Sequence, residues 1–422
     1  MDITLSSSHI GGTIFIPASK SQTIRALLIA TFAEGESLLV NPLDSQDTRS
    51  CLDACKAFGA EIIHEDNALR VIGKGLPKKP VVIDCGNSGT TLYLATAMAS
   101  ASDSPITFTG DEQLCRRPVG NLLNSLVDLG VKVKSTTRQT PPFTVQGPII
   151  GGTTSIECPT SQYLSALMLG LPLAKNDTTV LVPLLNERPY VSMTKAYLDD
   201  QDIEYWEYDD MAKFVFRGNQ KYRAFTRIIN GDYSSASFFF CAAAITGDRL
   251  EIKGLDPNDP QGDKEILSIL SAMGCSVSYN GVSTFVQGPP RGTLVSGQFD
   301  LNTMPDALPI LAVAACFAKG TTILSNVPQA RIKETDRISC MRSVLDALGA
   351  DVEELPDGLV IHGTGALDGG VCSGYGDHRI IMASAIASLG CRTSVTIKGI
   401  DAAGVTFPTF FKILENIKHY VM

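Results

Sequence analysis

Six times along the chain a short polar or glycine-containing cluster opens an Ala- and Leu-rich run with helical character. The openings are ASKSQTIRALLIATFAEG, GNSGTTLYLATAMAS, TSQYLSALMLGLPLAK, GDYSSASFFFCAAAITG, MPDALPILAVAACFAKG and YGDHRIIMASAIASLG. They recur about every 70 residues, a longer period than the common solenoid repeats. FFFCAAAI and LPILAVAACFA are apolar throughout and read as buried core helices. A strand-like segment follows each run: SLLVN, PITFTG, TTVLVP, RLEIKG, TTILSN and SVTIKG. In every copy but the last, a second helical pattern then leads toward paired short strands, as in CLDACKAFGAEIIHEDNALRVIG and VLDALGADVEELPDGLVIHG. Gly59, Gly130, Gly274 and Gly349 stand where a helix is stopped by a residue of positive φ, and the third copy lacks that glycine. A unit of this size cannot bury both of its faces alone, so six copies predict two domains of three, with a break near residues 225–231.

Length and composition narrow the class. A chain of 422 residues with 44% hydrophobic and 19% charged residues describes an ordinary globular protein of two or three domains. The net charge of −9 excludes a general nucleic-acid or membrane-surface binder, so an anion site here is a local cationic patch in an acidic body. MDITLSSSHIGGTIFIP shows no basic, apolar leader pattern, and no apolar run approaches the roughly 18 residues of a membrane span. The 11 cysteines are scattered without a C-x-x-C, which fits a reduced, cytoplasmic setting. Cys51 and Cys55 are one helical turn apart but have no histidine near them, and the five histidines are isolated, so no metal site is expected. Neither a phosphate-binding G-x-x-x-x-G-K-[ST], nor a dinucleotide G-x-G-x-x-G after a strand, nor a G-x-S-x-G elbow occurs.

Reactive side chains concentrate at the helix openings. Ser21, Thr160, Ser161, Ser234 and Ser235 are N-cap residue types. Several openings add what capping does not require: Lys20 and Arg25 in the first, Asn87, Gly89 and Thr90 in the second, Asp306 in the fifth, and Asp377, His378 and Arg379 in the sixth. Arg117, in CRRPV before a further helix, follows the same logic. RIKETDR (331–337) gathers Lys333, Glu334 and Arg337 at the start of SCMRSVLDALGA, where on a helix they would share one face. A helix N-terminus already favours anions; cations placed there repel one another unless a phosphate or carboxylate binds.

Taken in order, SKSQTIRALLIA, GNSGTT, RRPV, TSQYLSALM, GDYSSAS, MPDALP, RIKETDRI, YGDHR and TFPTFF resemble the 5-enolpyruvylshikimate-3-phosphate synthase (3-phosphoshikimate 1-carboxyvinyltransferase) family nearly end to end. The resemblance implies an α/β fold of two lobes, each of three βαβαββ-type repeats in an inverse-barrel-like arrangement, with the active site in the interlobe cleft. It assigns 18–229 to the first lobe and 1–17 plus 230–422 to the second. It implies transfer of the enolpyruvyl group of phosphoenolpyruvate to the 5-hydroxyl of shikimate 3-phosphate, with release of phosphate, in aromatic amino acid biosynthesis. The route is addition and elimination through a tetrahedral ketal phosphate, without metal or organic cofactor, in a cytoplasmic monomer.

By motif position the resemblance makes Glu334 the acid/base at the methylene carbon, Asp306 the base at the 5-hydroxyl and Lys20 a phosphoenolpyruvate contact that assists proton transfer. Asn87, Gly89, Arg117, Gln162, Arg337, His378 and Arg379, with Lys20, form the phosphoenolpyruvate shell. Ser21, Arg25, Thr160, Ser161, Gln162, Gln329 and Lys333, with Lys20 and Asp306, form the shikimate 3-phosphate shell. Four positions depart from the family's pattern: Val405 where some members carry a lysine, Tyr93 where some carry an arginine, Gln329 for an asparagine, and Glu187 where a phosphate-binding serine is expected, with Arg188 beside it as a compensating cation. Gly89 leaves room beside the phosphoenolpyruvate site, which predicts inhibition by glyphosate. Two rival readings are a UDP-N-acetylglucosamine enolpyruvyl transferase, whose loop cysteine Cys115 does not match in spacing, and a non-catalytic repeat scaffold.

Overall fold

The computed structural model describes residues 1–137 and 139–419. It divides into two compact units, Ala18–Ile229 and a second made of Met1–Pro17 with the residues from Asn230 onward.

In the Ala18–Ile229 unit, three four-stranded sheets share one plan. A first strand pairs in parallel with a central strand, and a hairpin completes the sheet antiparallel. Val81–Asp84, Ile106–Thr109, Phe143–Gln146 and Lys132–Ser135 are one example, in that spatial order. Gly152–Cys158, Thr178–Leu185, Lys213–Phe216 and Tyr205–Tyr208 are another. In the remaining sheet the parallel edge of Glu34–Val40 comes from the far end of the unit, Thr226–Ile228. Parallel neighbours need a crossover, and the Ala- and Leu-rich runs supply it as helices lying against the sheets.

The second unit repeats the plan. Thr13–Phe15, Arg249–Lys253, Ser283–Gln287 and Ser276–Tyr279 form one sheet; Ala318–Ser325 forms another with Gln298–Asp300 in parallel and Gly358–Thr364 antiparallel. The sixth copy differs. Val395–Lys398 pairs in parallel with Gly370–Ser373, but its other side is taken by Asp2–Leu5 and not by a hairpin. Contrary to the sequence pattern, this copy does carry a second helix, Phe410–Ile417; it is the place of the antiparallel hairpin strand that a segment from the other end of the chain, Asp2–Leu5, takes.

Each unit has its own apolar core, built from helices buried on all sides. Every residue of Gly89–Ala99, Tyr233–Thr246 and Leu308–Cys316 is buried. The helix-stopping glycines take positive φ, from 86° at Gly349 to 106° at Gly59; in the third copy Asp202 takes that role at φ 52°. Among the described residues no helix is long and apolar enough to cross a membrane.

Candidate active site

The Ala18–Ile229 unit carries its candidate residues at the tips of buried helices. Lys20 opens the helix Lys20–Phe32, which is capped by Ser19 and not by Ser21. Its Nζ lies 3.0 Å from Asp47 Oδ2, in the first turn of Gln46–Phe58. One turn into the first helix, Arg25 is 1% exposed. Its guanidinium donates to Thr194 Oγ1 (2.9 Å), Ser165 Oγ (3.4 Å), and the carbonyls of Ser21 (3.0 Å) and Tyr190 (3.3 Å). All four acceptors are neutral. Burial therefore pulls the Arg25 pKa down to about 10, offset in part by Tyr197 and Tyr190.

Gly89 opens Gly89–Ala99 behind the cap Ser88. A Cβ there would lie 2.8 Å from Arg117 Nη1, so the glycine is what lets that guanidinium approach the helix tip. Arg117 Nη2 donates to Asn87 Oδ1 at 2.7 Å, and Asn87 Nδ2 donates to Asp111 (2.8 Å) and Gln113 (2.7 Å). The next carbonyl, of Pro118, accepts from both Tyr93 (3.0 Å) and Tyr163 (2.7 Å), whose rings meet edge to face at 5.3 Å. Tyr93 thus braces the Arg117–Pro118 segment from below. Cys115, half-buried, donates to the Gly110 carbonyl.

In the second unit the candidates converge on Arg337, also 1% exposed. It donates from Nη1 to Asp306 Oδ1 (2.7 Å), from Nη2 to Glu334 Oε2 (2.5 Å) and Asp377 Oδ1 (3.3 Å), and from Nε to Asp377 Oδ2 (2.8 Å). Arg379 Nη2 lies 2.8 Å from the other Asp306 oxygen. Burial alone would raise the Asp306 pKa, but Arg379, Lys333 and Arg337 outweigh it and hold the carboxyl well below the usual range, with Glu334 opposing them. His378 is pulled down to about 3, first by burial, and is neutral at physiological pH; its Nε2 has no hydrogen-bond partner among the described residues. Gln329 donates to the Asn302 carbonyl (3.1 Å), while its Oε1, like that of Gln162, is buried without a hydrogen-bond partner among the described residues.

Three expectations need correction. RIKETDR is not helical throughout: Pro328–Ile332 is a 3₁₀ turn and the helix begins at Arg337, so Lys333 and Glu334 sit on the connecting loop. Arg337 reaches Glu334 by that loop, not by helical spacing. Nor are the serines simple caps. Ser161 Oγ points to Glu187, and in the fourth copy Asp232 holds the cap position while Ser234 and Ser235 lie inside Tyr233–Thr246. Finally, Arg188 does not compensate for Glu187, because it pairs with Asp210 at the surface (2.5 Å). Val405 is buried, and no cation stands at that position.

Comparison with known proteins gives this geometry a family. The model for EPSP synthase (3-phosphoshikimate 1-carboxyvinyltransferase) matches residues 5–414. The 3-phosphoshikimate 1-carboxyvinyltransferase of Ruminiclostridium cellulolyticum is 45% identical, covering 99% of this chain and 98% of its own. That of Acetivibrio thermocellus is 46% identical with the same coverage. The chain belongs to the EPSP synthase family. A solved EPSP synthase from Acinetobacter baumannii matches this chain with a TM-score of 0.82 at 25% identity, over 99% of this chain and 98% of that one.

Within this EPSP synthase fold, two supporting residues, Asp47 and Tyr163, escaped the sequence reading, and two others, Asp377 and Glu187, were singled out there without the partners they take. Asp377 caps the helix His378–Ala387 through the Arg379 amide, accepts from Thr335 Oγ1 (3.0 Å) and grips Arg337. Asp47 holds Lys20, and Tyr163 joins Tyr93 on Pro118. Glu187, noted only as a departure, collects the Thr160 and Ser161 donors. Only Asp377 carried a local signal, as the acidic residue just before a helix start.

Proposed function

We propose that this EPSP synthase family member transfers the enolpyruvyl group of phosphoenolpyruvate to the 5-hydroxyl of shikimate 3-phosphate. The observation that carries the reading is the Arg337 cluster, in which one guanidinium holds Asp306 and Glu334 ready for proton transfer. The two units act as the enzyme's two lobes. Asp306, held ionised by Arg379, Lys333 and Arg337, takes the proton of the 5-hydroxyl. Glu334 delivers a proton to the methylene carbon of phosphoenolpyruvate, the 5-oxygen bonds to the neighbouring carbon, and a tetrahedral ketal phosphate results. Return of a methyl proton to Glu334 and cleavage of the carbon–oxygen bond to phosphate, which leaves with the proton taken up by Asp306, give the enol ether and inorganic phosphate and restore both carboxyl groups to their starting states. Lys20, Arg117 and Arg379 neutralise the phosphate and carboxylate charge that builds in this sequence. Arg25, buried among neutral acceptors, supplies the cation for the acceptor substrate, with Ser21, Thr160, Ser161, Gln162, Gln329 and Lys333 around it. Asn87, Gly89 and His378 shape the phosphoenolpyruvate side.

The engaged Arg337 refines one assignment. Its four hydrogen bonds to carboxylates make it first a support for Asp306, Glu334 and Asp377. Contact with phosphoenolpyruvate then requires the substrate carboxylate to displace one of them.

A phosphate-release assay with phosphoenolpyruvate and shikimate 3-phosphate tests the reading. Glu334→Gln should lower kcat by about 10²–10⁴-fold. Absence of phosphate release by the wild type would sink the assignment, and release with UDP-N-acetylglucosamine as acceptor would replace it with the sister transferase. The enzyme is proposed to work as a cytoplasmic monomer, which light scattering after gel filtration checks.

A further inference from the structure

Three donors converge on a single buried oxygen in the Ala18–Ile229 unit. Thr160 Oγ1 (3.1 Å), the Ser161 amide (3.0 Å) and Ser161 Oγ (2.8 Å) all donate to Glu187 Oε2. Two hydroxyls and a backbone N–H at the start of the helix Gln162–Gly170 are the equipment of an oxyanion cradle, and here a side chain of the protein fills it. Glu187 is 1% exposed and sits at φ 56°, a left-handed conformation uncommon for glutamate, just before the helix Arg188–Asp200. The same two helices supply Ser165 and Tyr190, which hold Arg25. The backbone strain, the burial and the three donors all serve one carboxylate.

We propose that Glu187 is an internal stand-in for the substrate's phosphate, occupying the Thr160–Ser161 cradle of the unliganded enzyme and withdrawing when shikimate 3-phosphate binds. The inference rests on the reading of Thr160 and Ser161 as shikimate 3-phosphate contacts. Each of the three donors has one proton to give, and all three are given to Glu187. A phosphate can take them only if the carboxylate leaves, because two anions cannot share them at hydrogen-bonding distance without strong repulsion. Glu187 therefore keeps the cradle formed and satisfied while empty of ligand, and weakens binding of the phosphorylated acceptor. Shikimate, which lacks the phosphate, meets no such competition. Glu187 becomes a determinant of the ratio between the two affinities.

Calorimetric titration of the wild type, Glu187→Gln and Glu187→Asn with shikimate 3-phosphate and with shikimate tests this. Asn tolerates positive φ and is too short to fill the cradle; Gln keeps the shape without the charge. Glu187→Asn should bind shikimate 3-phosphate about tenfold more tightly, the loss of one charged competitor, with a smaller gain for Glu187→Gln. Shikimate affinity should stay within about twofold for both. Unchanged or weaker shikimate 3-phosphate binding by variants with wild-type circular dichroism overturns the proposal. A crystal structure of the wild type with shikimate 3-phosphate decides it without any variant: Glu187 must have left Ser161. Wild type that binds the ligand with Glu187 still in place removes the proposal alone, whereas wild type that binds no shikimate 3-phosphate removes the reading beneath it.

Discussion

Arg25 and Arg337 are equally buried, one in each unit, and their surroundings are opposite. Arg25 is held by four neutral oxygens, and burial pulls its pKa down. Arg337 is gripped by Asp377, Glu334 and Asp306, which overcome the same burial and push its pKa up. A buried cation without an anion is costly and gains most when a ligand brings one. A buried cation already ringed by carboxylates gains little from a ligand; it fixes the carboxylates in place, and it helps hold Asp306 and Asp377 below the usual carboxylate range. Arg25 thus has charge to offer on the proposed reading, while Arg337 is engaged in arranging the acidic groups around it. Both arginines nevertheless look alike in sequence, as cations close to a helix start.

Removing each arginine should separate the two roles. Arg337→Met leaves three carboxylates without their shared cation and should destabilise the fold by about 3–5 kcal/mol, read by urea denaturation. Arg25→Met removes an uncompensated charge, so stability should hold or rise, while shikimate 3-phosphate affinity falls by about 10–100-fold. Equal stability losses in the two variants would erase the distinction.

The carboxylate-rich unit should also carry an acid-sensitive element. His378 is neutral in the fold, with its pKa near 3, but takes a proton near pH 6.5 once unfolded. Between those values the unfolded chain binds more protons, so this contribution is lost as pH falls from about 6.5 toward 3. The loss between pH 7 and pH 5 amounts to about 2 kcal/mol, and His378→Gln should abolish it in denaturation curves at the two pH values. The smallest effect belongs to the Ala18–Ile229 unit. Gly89→Ala puts a methyl group 2.8 Å from Arg117 Nη1 and must shift that guanidinium. The KM for phosphoenolpyruvate should rise several-fold at nearly constant kcat, with inhibition by glyphosate weakened further; an unchanged KM would mean that Arg117 does not meet that substrate.

Much of the architecture could be read before any coordinates. The sixfold alternation of apolar helix and strand is a local, periodic signal, and Lys20, Gly89, Gln162 and His378 each open a helix in the structure. The stop signals were equally local, since a positive φ at Gly59 or Gly349 depends on the residue's own backbone freedom. RIKETDR misled because helical spacing was assumed across a stretch that the 3₁₀ turn at Pro328–Ile332 and the cap at Asp336 interrupt.

What the chain's sequence determined by itself is therefore the repeat, the buried helices and the gathering of reactive residues at helix starts, all set by interactions within a few residues. Only tertiary structure decided the partners. Arg337 meets Asp306 and Asp377 across 31 and 40 positions, Glu187 meets Ser161 across 26, and Asp2–Leu5 completes a sheet begun at Val395–Lys398. Such pairings depend on which elements the fold brings side by side, and in a low-dielectric interior the partner sets the charge state and hence the chemistry of each group.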